Sequence, residues 1–396
     1  MKNKRFEENI IIGISSMKQI MSLFLGPFLT AYFIKKSTES IMDISIYYIL
    51  SYILLAVLSF GVTRIIKRKF RIGMFRIGVI LSFLYIVTIV FLKEKILDYL
   101  WLVAILSGIS SSTYWLPYNL FSANKIDNER RNDYTVKAKL ISSIIGIVCP
   151  ILLGAYITIT NYELTAIIVL FISFIQIILS FNLSKDEDKS LSKYDAKKVS
   201  KKLVKNKQIR KMLLVEFFIG MNVSDGALQI LMTILIFNSF KTNLNLGIIT
   251  SLTTILSMLV VKSYGKVYKN KSDNKIIIIS SILPVISVFL LLICKNSITI
   301  IAYNILYVIF TSLLSLIREV RLFNISNSDL VTKDDQCEFF AIREAVLNYG
   351  RIISYSLLFF AGFTGSELIL NIAMVLLTIS IVFTGVNLIK VKNIIN

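Results

Sequence analysis

The chain has 396 residues, 55% of them hydrophobic, and carries 44 Lys and Arg against 24 Asp and Glu, a formal net charge of +20. Apolar runs of 18 or more residues recur from end to end, which excludes a soluble globular domain; ten-residue alternating segments, the mark of a membrane β-barrel, are not seen. With no histidine, imidazole metal and proton chemistry is excluded, and Cys149, Cys294 and Cys337, which form no CxxC, suggest neither a disulfide framework nor a zinc site.

Twelve apolar segments follow in order, at about 10–34, 42–63, 73–92, 97–121, 138–160, 163–183, 212–239, 244–263, 275–294, 297–322, 339–362 and 367–389. At ~1.5 Å per residue each is long enough to cross a ~30 Å hydrocarbon core. The expected class is all-α and membrane-integral. Span 1 contains Lys18 and lacks a small-residue cleavage site, so it reads as a retained span and not a signal peptide. Basic residues gather in alternate links: Lys2, Lys4 and Arg5 before span 1; Arg64, Lys67, Arg68, Lys69, Arg71 and Arg76 after span 2; Lys262, Lys266, Lys269, Lys271 and Lys275 after span 8. The links between them are short and poor in cations. The positive-inside rule then places both termini in the cytoplasm. The net charge answers to topology and to anionic membrane lipid, and no nucleic-acid partner is expected. Lys, Ile and Asn richness suggests a low-GC bacterium, hence a bacterial cytoplasmic membrane.

The longest link, Ser184 to Lys211, holds eleven Lys and Arg against four acids. It is expected to be a cytoplasmic linker, with an amphipathic helix lying on the membrane. It divides the chain into residues 1–183, 184–211 and 212–396. The two flanking parts repeat. Gly13 and Gly220 lie 207 apart, Gly61 and Gly265 lie 204 apart, and Gly146 and Gly350 lie 204 apart. Parallel six-span repeats are one known transporter plan.

Polar stripes run through the apolar segments. Nine residues separate Lys18 from Glu8, which sets the ammonium ~15 Å into the membrane, a costly place that marks a functional site. Span 1 gives Ser15, Lys18, Ser22 and Gly26. Span 7 gives Asn222, Asp225, Gln229 and Thr233 at the same spacing and the equivalent depth, so Asp225 answers Lys18. Span 4 gives Gly108, Ser112, Trp115 and Tyr118; span 10 gives Thr311, Ser315, Arg318 and Arg321, beside Glu319. Span 11 gives Glu344, Asn348, Arg351 and Tyr355. Two readings of Lys18 and Asp225 stand open: a structural ion pair, or separate roles in substrate binding and proton coupling.

The span count, the 6+6 repeat and the long central linker make the chain resemble the major facilitator superfamily over nearly its whole length. The family places a glycine, an acid and several cations between spans 2 and 3. Here that link reads Gly61-Val-Thr-Arg64-Ile-Ile-Lys67-Arg68-Lys69-Phe-Arg71, with Ile65 or Ile66 near the place of the usual aspartate. Its second copy begins at Gly265. Gly146, Pro150 and Gly154 share one face of span 5 and allow close packing and a bend. They faintly resemble the span-5 motif of proton-coupled drug exporters, with Cys149 where that motif has glycine. The resemblance implies two pseudo-symmetric six-helix bundles around a central cavity, with spans 3, 6, 9 and 12 outermost.

The function expected from these residues is secondary active transport of a small organic solute (anionic, zwitterionic or amphipathic) by alternating access, coupled to protons. Lys18, Ser22, Trp115, Tyr118, Asn222, Gln229, Arg318, Arg321 and Arg351 are the candidate substrate-binding residues. Asp225 is the first proton-coupling candidate and Glu319 the second. Gly61, Arg64, Gly146, Pro150, Gly154, Gly265 and Glu344 are expected to serve gating or structure. The alternative is a transport-inactive relative that senses a solute or handles lipid. No nucleophile–base set, no metal-ligand set and no Walker A motif is present, so neither an enzyme nor an ATP-driven pump is expected. No cofactor or metal is expected, and the working unit is expected to be a monomer.

Overall fold

Backbone groups in hydrocarbon have no water to bond, so a chain of apolar runs satisfies them within helices. The computed structural model is of that kind. It describes residues 2–37, 40–67, 71–125, 131–184, 194–222, 226–267 and 273–391. Span 1 is α1 (Lys2–Leu23), a π-helical turn (Phe24–Phe28) and α2 (Leu29–Lys36). Spans 2 to 6 are α3 (Ser40–Lys67), α4 (Arg71–Leu92), α5 (Leu100–Lys125), α6 (Arg131–Ile159) and α7 (Tyr162–Phe181). The linker holds α8 (Ala196–Lys205). Span 7 is made of α9 (Lys207–Asn222) and α10 (Ala227–Phe240). Spans 8 to 12 are α11 (Asn243–Val267), α12 (Asp273–Ile293), α13 (Ser297–Ser326), α14 (Gln336–Thr364) and α15 (Glu367–Lys390). The twelve-span reading is approximately matched. Eleven segments are long and apolar enough to qualify alone; α5, with the polar run Ser110-Ser-Ser-Thr113 in its middle, is the twelfth. Termini and linker share one end of the molecule, called here the linker face.

Proline is absorbed in two ways. Pro117, Pro150 and Pro284 sit inside α5, α6 and α12. Pro27 instead falls in the π turn, where the Leu29 N–H reaches back to the Phe24 carbonyl and the ladder widens around the missing donor.

Contacts fall into two sets. In the first, spans 3 and 4, 2 and 4, 3 and 6, and 1 and 6 pack together; in the second, spans 7 and 11, 9 and 10, 7 and 12, and 9 and 12 do. Two seams join them, span 2 against span 11 and span 5 against span 8. On the second seam, a Cβ on Gly154 would overlap the Asn243 carbonyl and one on Gly247 the Pro150 carbonyl. Backbone meets backbone there. Gly146 continues that face toward Thr254, 3.1 Å from where its Cβ would stand. The outward surface is apolar, with Leu152, Phe171 and Leu290 more than half exposed, as a lipid-facing shell requires.

The linker helix departs from expectation. Asp195 caps it by accepting from the Lys198 N–H at 2.9 Å. Its apolar pair, Val199 and Leu203, is buried against the protein, where α8 packs on α14 and α9. The face expected to lie in lipid is spent on span 11.

Candidate functional site

Span 7 is interrupted halfway through its length. The described break is at Gly226, a weak helix former. Gly226 is extended (φ −73°, ψ 163°), and a Cβ on it would stand 2.7 Å from the carbonyl oxygens of Gly220 and Met221. Only glycine fits where the chain folds back on the end of α9. Asp225 lies outside the described residues.

An interruption leaves helix-end groups that need partners. The Tyr307 phenol donates to the Asn222 carbonyl. The Ala227 N–H, first of α10, donates to Ser354 Oγ at 3.3 Å. The Asn222 amide donates to Phe218 O at 2.6 Å and Ser380 Oγ at 2.8 Å, while its buried Oδ1 has no hydrogen-bond partner among the described residues. Spans 10, 11 and 12 thus each supply a group to the break.

Span 11 is drawn against it by glycine. A Cβ on Gly220 would overlap the Leu347 carbonyl and lie 3.3 Å from the Arg351 nitrogen; one on Gly350 would overlap the Phe217 carbonyl. This crossing puts Arg351 beside the interruption. Its buried guanidinium donates to Asn348 Oδ1 at 2.7 Å and lies 4.8 Å over the Tyr52 ring. Tyr48 stacks on Tyr355 at 4.6 Å between ring centroids, and Tyr52 lies 5.7 Å from Tyr355. Spans 2 and 11 therefore present a cation among three tyrosines on their shared seam.

Lys18 is buried within the first helix set. Its ammonium donates to Ser82 Oγ at 3.1 Å and lies 4.8 Å from the Tyr114 ring, so the groups holding it come from spans 3 and 4 and are neutral. Tyr114 stacks with Tyr118 at 5.7 Å. Tyr118 hydrogen-bonds Ser15 and Tyr134. Trp115, edge-on to Tyr114, is exposed, as are Ser22 and Gln229.

The expected cations of span 10 serve other partners. Arg318 donates through Nε to Glu216 Oε1 at 2.5 Å and through Nη2 to Oε2. Arg343 Nε donates to the same Oε2 at 2.6 Å and its Nη1 to Glu344. Spans 7, 10 and 11 are thus tied by one buried ionic network on the linker side of the break. Arg321 donates to the carbonyls of Leu388 and Val391, the latter at 2.8 Å, and so caps α15. Glu319 is exposed on α13.

Lys67 of the span 2–3 link is buried. It donates to Glu338 Oε1 at 2.6 Å and to the Asp334 carbonyl at 2.8 Å. With the family aspartate replaced by isoleucine, a cation meets the N-terminus of α14, where the helix dipole is unfavourable; Glu338 in the first turn supplies the compensating charge. Gly61 and Arg64 are exposed, and Gly265 lies in the last turns of α11. Among the described residues no group of three or more His, Cys, Asp or Glu could hold a metal ion.

Sequence reasoning missed Glu216, Tyr52 and Tyr114. Glu216 was visible as a carboxylate inside a predicted span. The tyrosines carried no signal, because aromatic residues are ordinary in apolar helices.

A curated relative, the "Uncharacterized protein YqgE" of Bacillus subtilis (strain 168), is 22% identical over 349 residues, covering 87% of this chain and 80% of that one. A bacterial homologue of the iron transporter ferroportin in its inward-facing state has a TM-score of 0.70 at 14% identity, covering 98% of both chains. A point mutant of the nucleoside transporter NupG has a TM-score of 0.69 at 13% identity, covering 97% of this chain and 99% of its own. At such identities these structures share the fold alone. The Major Facilitator Superfamily family model matches residues 10–332. The chain belongs to the Major Facilitator Superfamily, and it is a membrane transporter.

Proposed function

We propose that the chain is a proton-coupled secondary carrier of a small organic anion or zwitterion, working by alternating access as a monomer. It sits in a bacterial cytoplasmic membrane with both termini and the linker inside. The observation that carries this reading is the mid-membrane interruption of span 7 beside Arg351. Transporters of this general plan bind solutes near the midplane at discontinuous helices. Arg351 recognises a carboxylate or phosphate by paired N–H donors, and Tyr48, Tyr52 and Tyr355 suit an aromatic or sugar portion. Lys18 adds a second buried cation, held by neutral groups. Two cations flanking the path favour a solute with negative charge over a metal ion. Asp225, which lies outside the described residues, is the coupling carboxylate in this reading on its place in the sequence; a substrate anion arriving between it and the cations changes its proton affinity. Glu319, exposed on α13, is set aside for that role, and Arg318 and Arg321 are assigned to structure.

The test uses purified protein in liposomes, screened against organic acids, nucleosides and drugs by labelled-solute counterflow under an imposed pH gradient. Asp225→Asn is expected to retain counterflow and lose pH-driven accumulation. Arg351→Gln is expected to raise the half-saturating substrate concentration at least tenfold. Full accumulation by the Asp225 variant overturns proton coupling through that residue; unchanged affinity in the Arg351 variant overturns the site.

A further inference from the structure

A cavity of about 420 Å³ opens on the face opposite the linker, between the two helix sets. Spans 1 and 7 end beside it, and the links after spans 3, 5 and 7 line it. Its lining carries Lys35, Lys36 and Lys241 against Glu94 and Glu163. Lys36 pairs with Glu94 at 2.6 Å, and Glu163 accepts from the Tyr32 phenol at 3.0 Å. Among the described residues, neither Lys35 nor Lys241 has a carboxylate within ion-pair distance. The Lys35 ammonium instead crosses to the other helix set, 5.7 Å from the Phe237 ring.

Two further features raise the positive potential. α11 begins at the cavity, and a helix N-terminus carries roughly half a positive charge; that of α7 is offset by Glu163 in its first turn. Lys241 closes α10 in the left-handed region, at φ 57°. Glycine is the usual residue at such a helix end, since a side chain there is strained. Lys241 in that conformation is exposed and lines the cavity.

We propose that this cavity binds a small organic polyanion, a di- or tricarboxylate or a phosphate ester, clamped between Lys35 of span 1 and Lys241 at the end of span 7. The volume suits a metabolite-sized ligand. Because the two lysines belong to different helix sets, the anion bridges them. It therefore stabilises the arrangement in which spans 1 and 7 are close at this face. The site is separate from the mid-membrane one and acts on the conformational equilibrium.

Isothermal titration of the full chain in phosphatidylcholine nanodiscs tests this with citrate and with inorganic phosphate, at constant ionic strength against chloride. Citrate is expected to bind, and to raise the melting temperature. Lys35→Gln and Lys241→Asn are each expected to weaken citrate at least tenfold; asparagine tolerates the left-handed backbone. Lys95→Gln, at an exposed lysine outside the lining, is expected to change affinity less than twofold. No binding of either anion beyond chloride overturns the proposal. So does an equal loss in Lys95→Gln, which marks a general ionic effect, or a loss in Arg351→Gln with none in Lys35→Gln, which places citrate in the membrane.

Discussion

Glu216 holds two arginines at once, and its removal leaves both buried. Breaking a buried ion pair by deleting one partner costs about 3–5 kcal/mol, because the survivor is uncompensated. Glu216→Gln is therefore expected to lower the melting temperature sharply, while Glu216→Leu combined with Arg318→Met recovers most of the loss. A single variant as stable as the parent in a thermal melt contradicts the network. At this scale the sequence was half readable. Lys18, Arg318, Glu344 and Arg351 stand out because a charge in an apolar run is rare. Their partners do not stand out: Glu216 is 102 residues from Arg318 and 127 from Arg343, and only helix packing brings them together. Arg321 has the spacing of a pathway residue, but its partners are two carbonyls at the end of α15, which no side-chain pattern announces.

At the scale of elements, the interruption of span 7 and its crossing with span 11 depend on each other. Gly350→Ala is expected to force the two helices apart at Phe217, displacing Arg351, with a fall in both stability and transport. Tyr307→Phe removes the donor to the Asn222 carbonyl; a buried acceptor left without a partner costs about 1–3 kcal/mol. A melt unchanged in Tyr307→Phe would show that water or another group serves that carbonyl. Hydropathy read span 7 as continuous, since apolar residues run on through both sides of Val223-Ser224-Asp225-Gly226. The same blindness affected α8: its spacing gave an amphipathic helix, but not whether lipid or protein would take its apolar face. Lys202 of α8 pairs with Asp335 at 2.6 Å. Partial burial raises the Asp335 carboxyl, and the Lys202 hydrogen bond and charge overcome this and hold it below its usual range. A depressed carboxylate contributes stability above its unfolded value, lost only as pH falls through the folded one. Linker docking, followed by proteolysis at the α8 lysines, is therefore expected to be level from pH 5 to 8 on the ordinary aspartate range and to weaken only at stronger acidity.

For the whole molecule, span number and fold class were legible because the membrane imposes them on composition. The seams were legible only in part: Gly146, Pro150 and Gly154 pointed to close packing, but their partners on span 8 did not declare themselves. At the linker face the two helix sets are joined by Lys67 and Glu338, with buried Cys337 next to the latter. Lys67→Met is expected to loosen this junction and speed alkylation of Cys337 at least fivefold, measured by maleimide mass shift in a Cys294→Ser background. An unchanged rate would show that apolar contacts alone hold the seam.

The interruption in span 7 also has an electrical consequence. A charge brought to mid-membrane from either face has crossed about half the potential drop. At about 2.3 kcal/mol per charge per 100 mV across the full membrane, that is roughly 1.2 kcal/mol, close to a factor of seven in occupancy. On the function proposed above, spans 1 and 11 keep Lys18 and Arg351 at that depth, and the fixed charges feel the field even when the carrier is empty. Membrane voltage then acts as a co-substrate: an imposed diffusion potential is expected to change the apparent affinity for a charged solute and leave that for a neutral analogue nearly level.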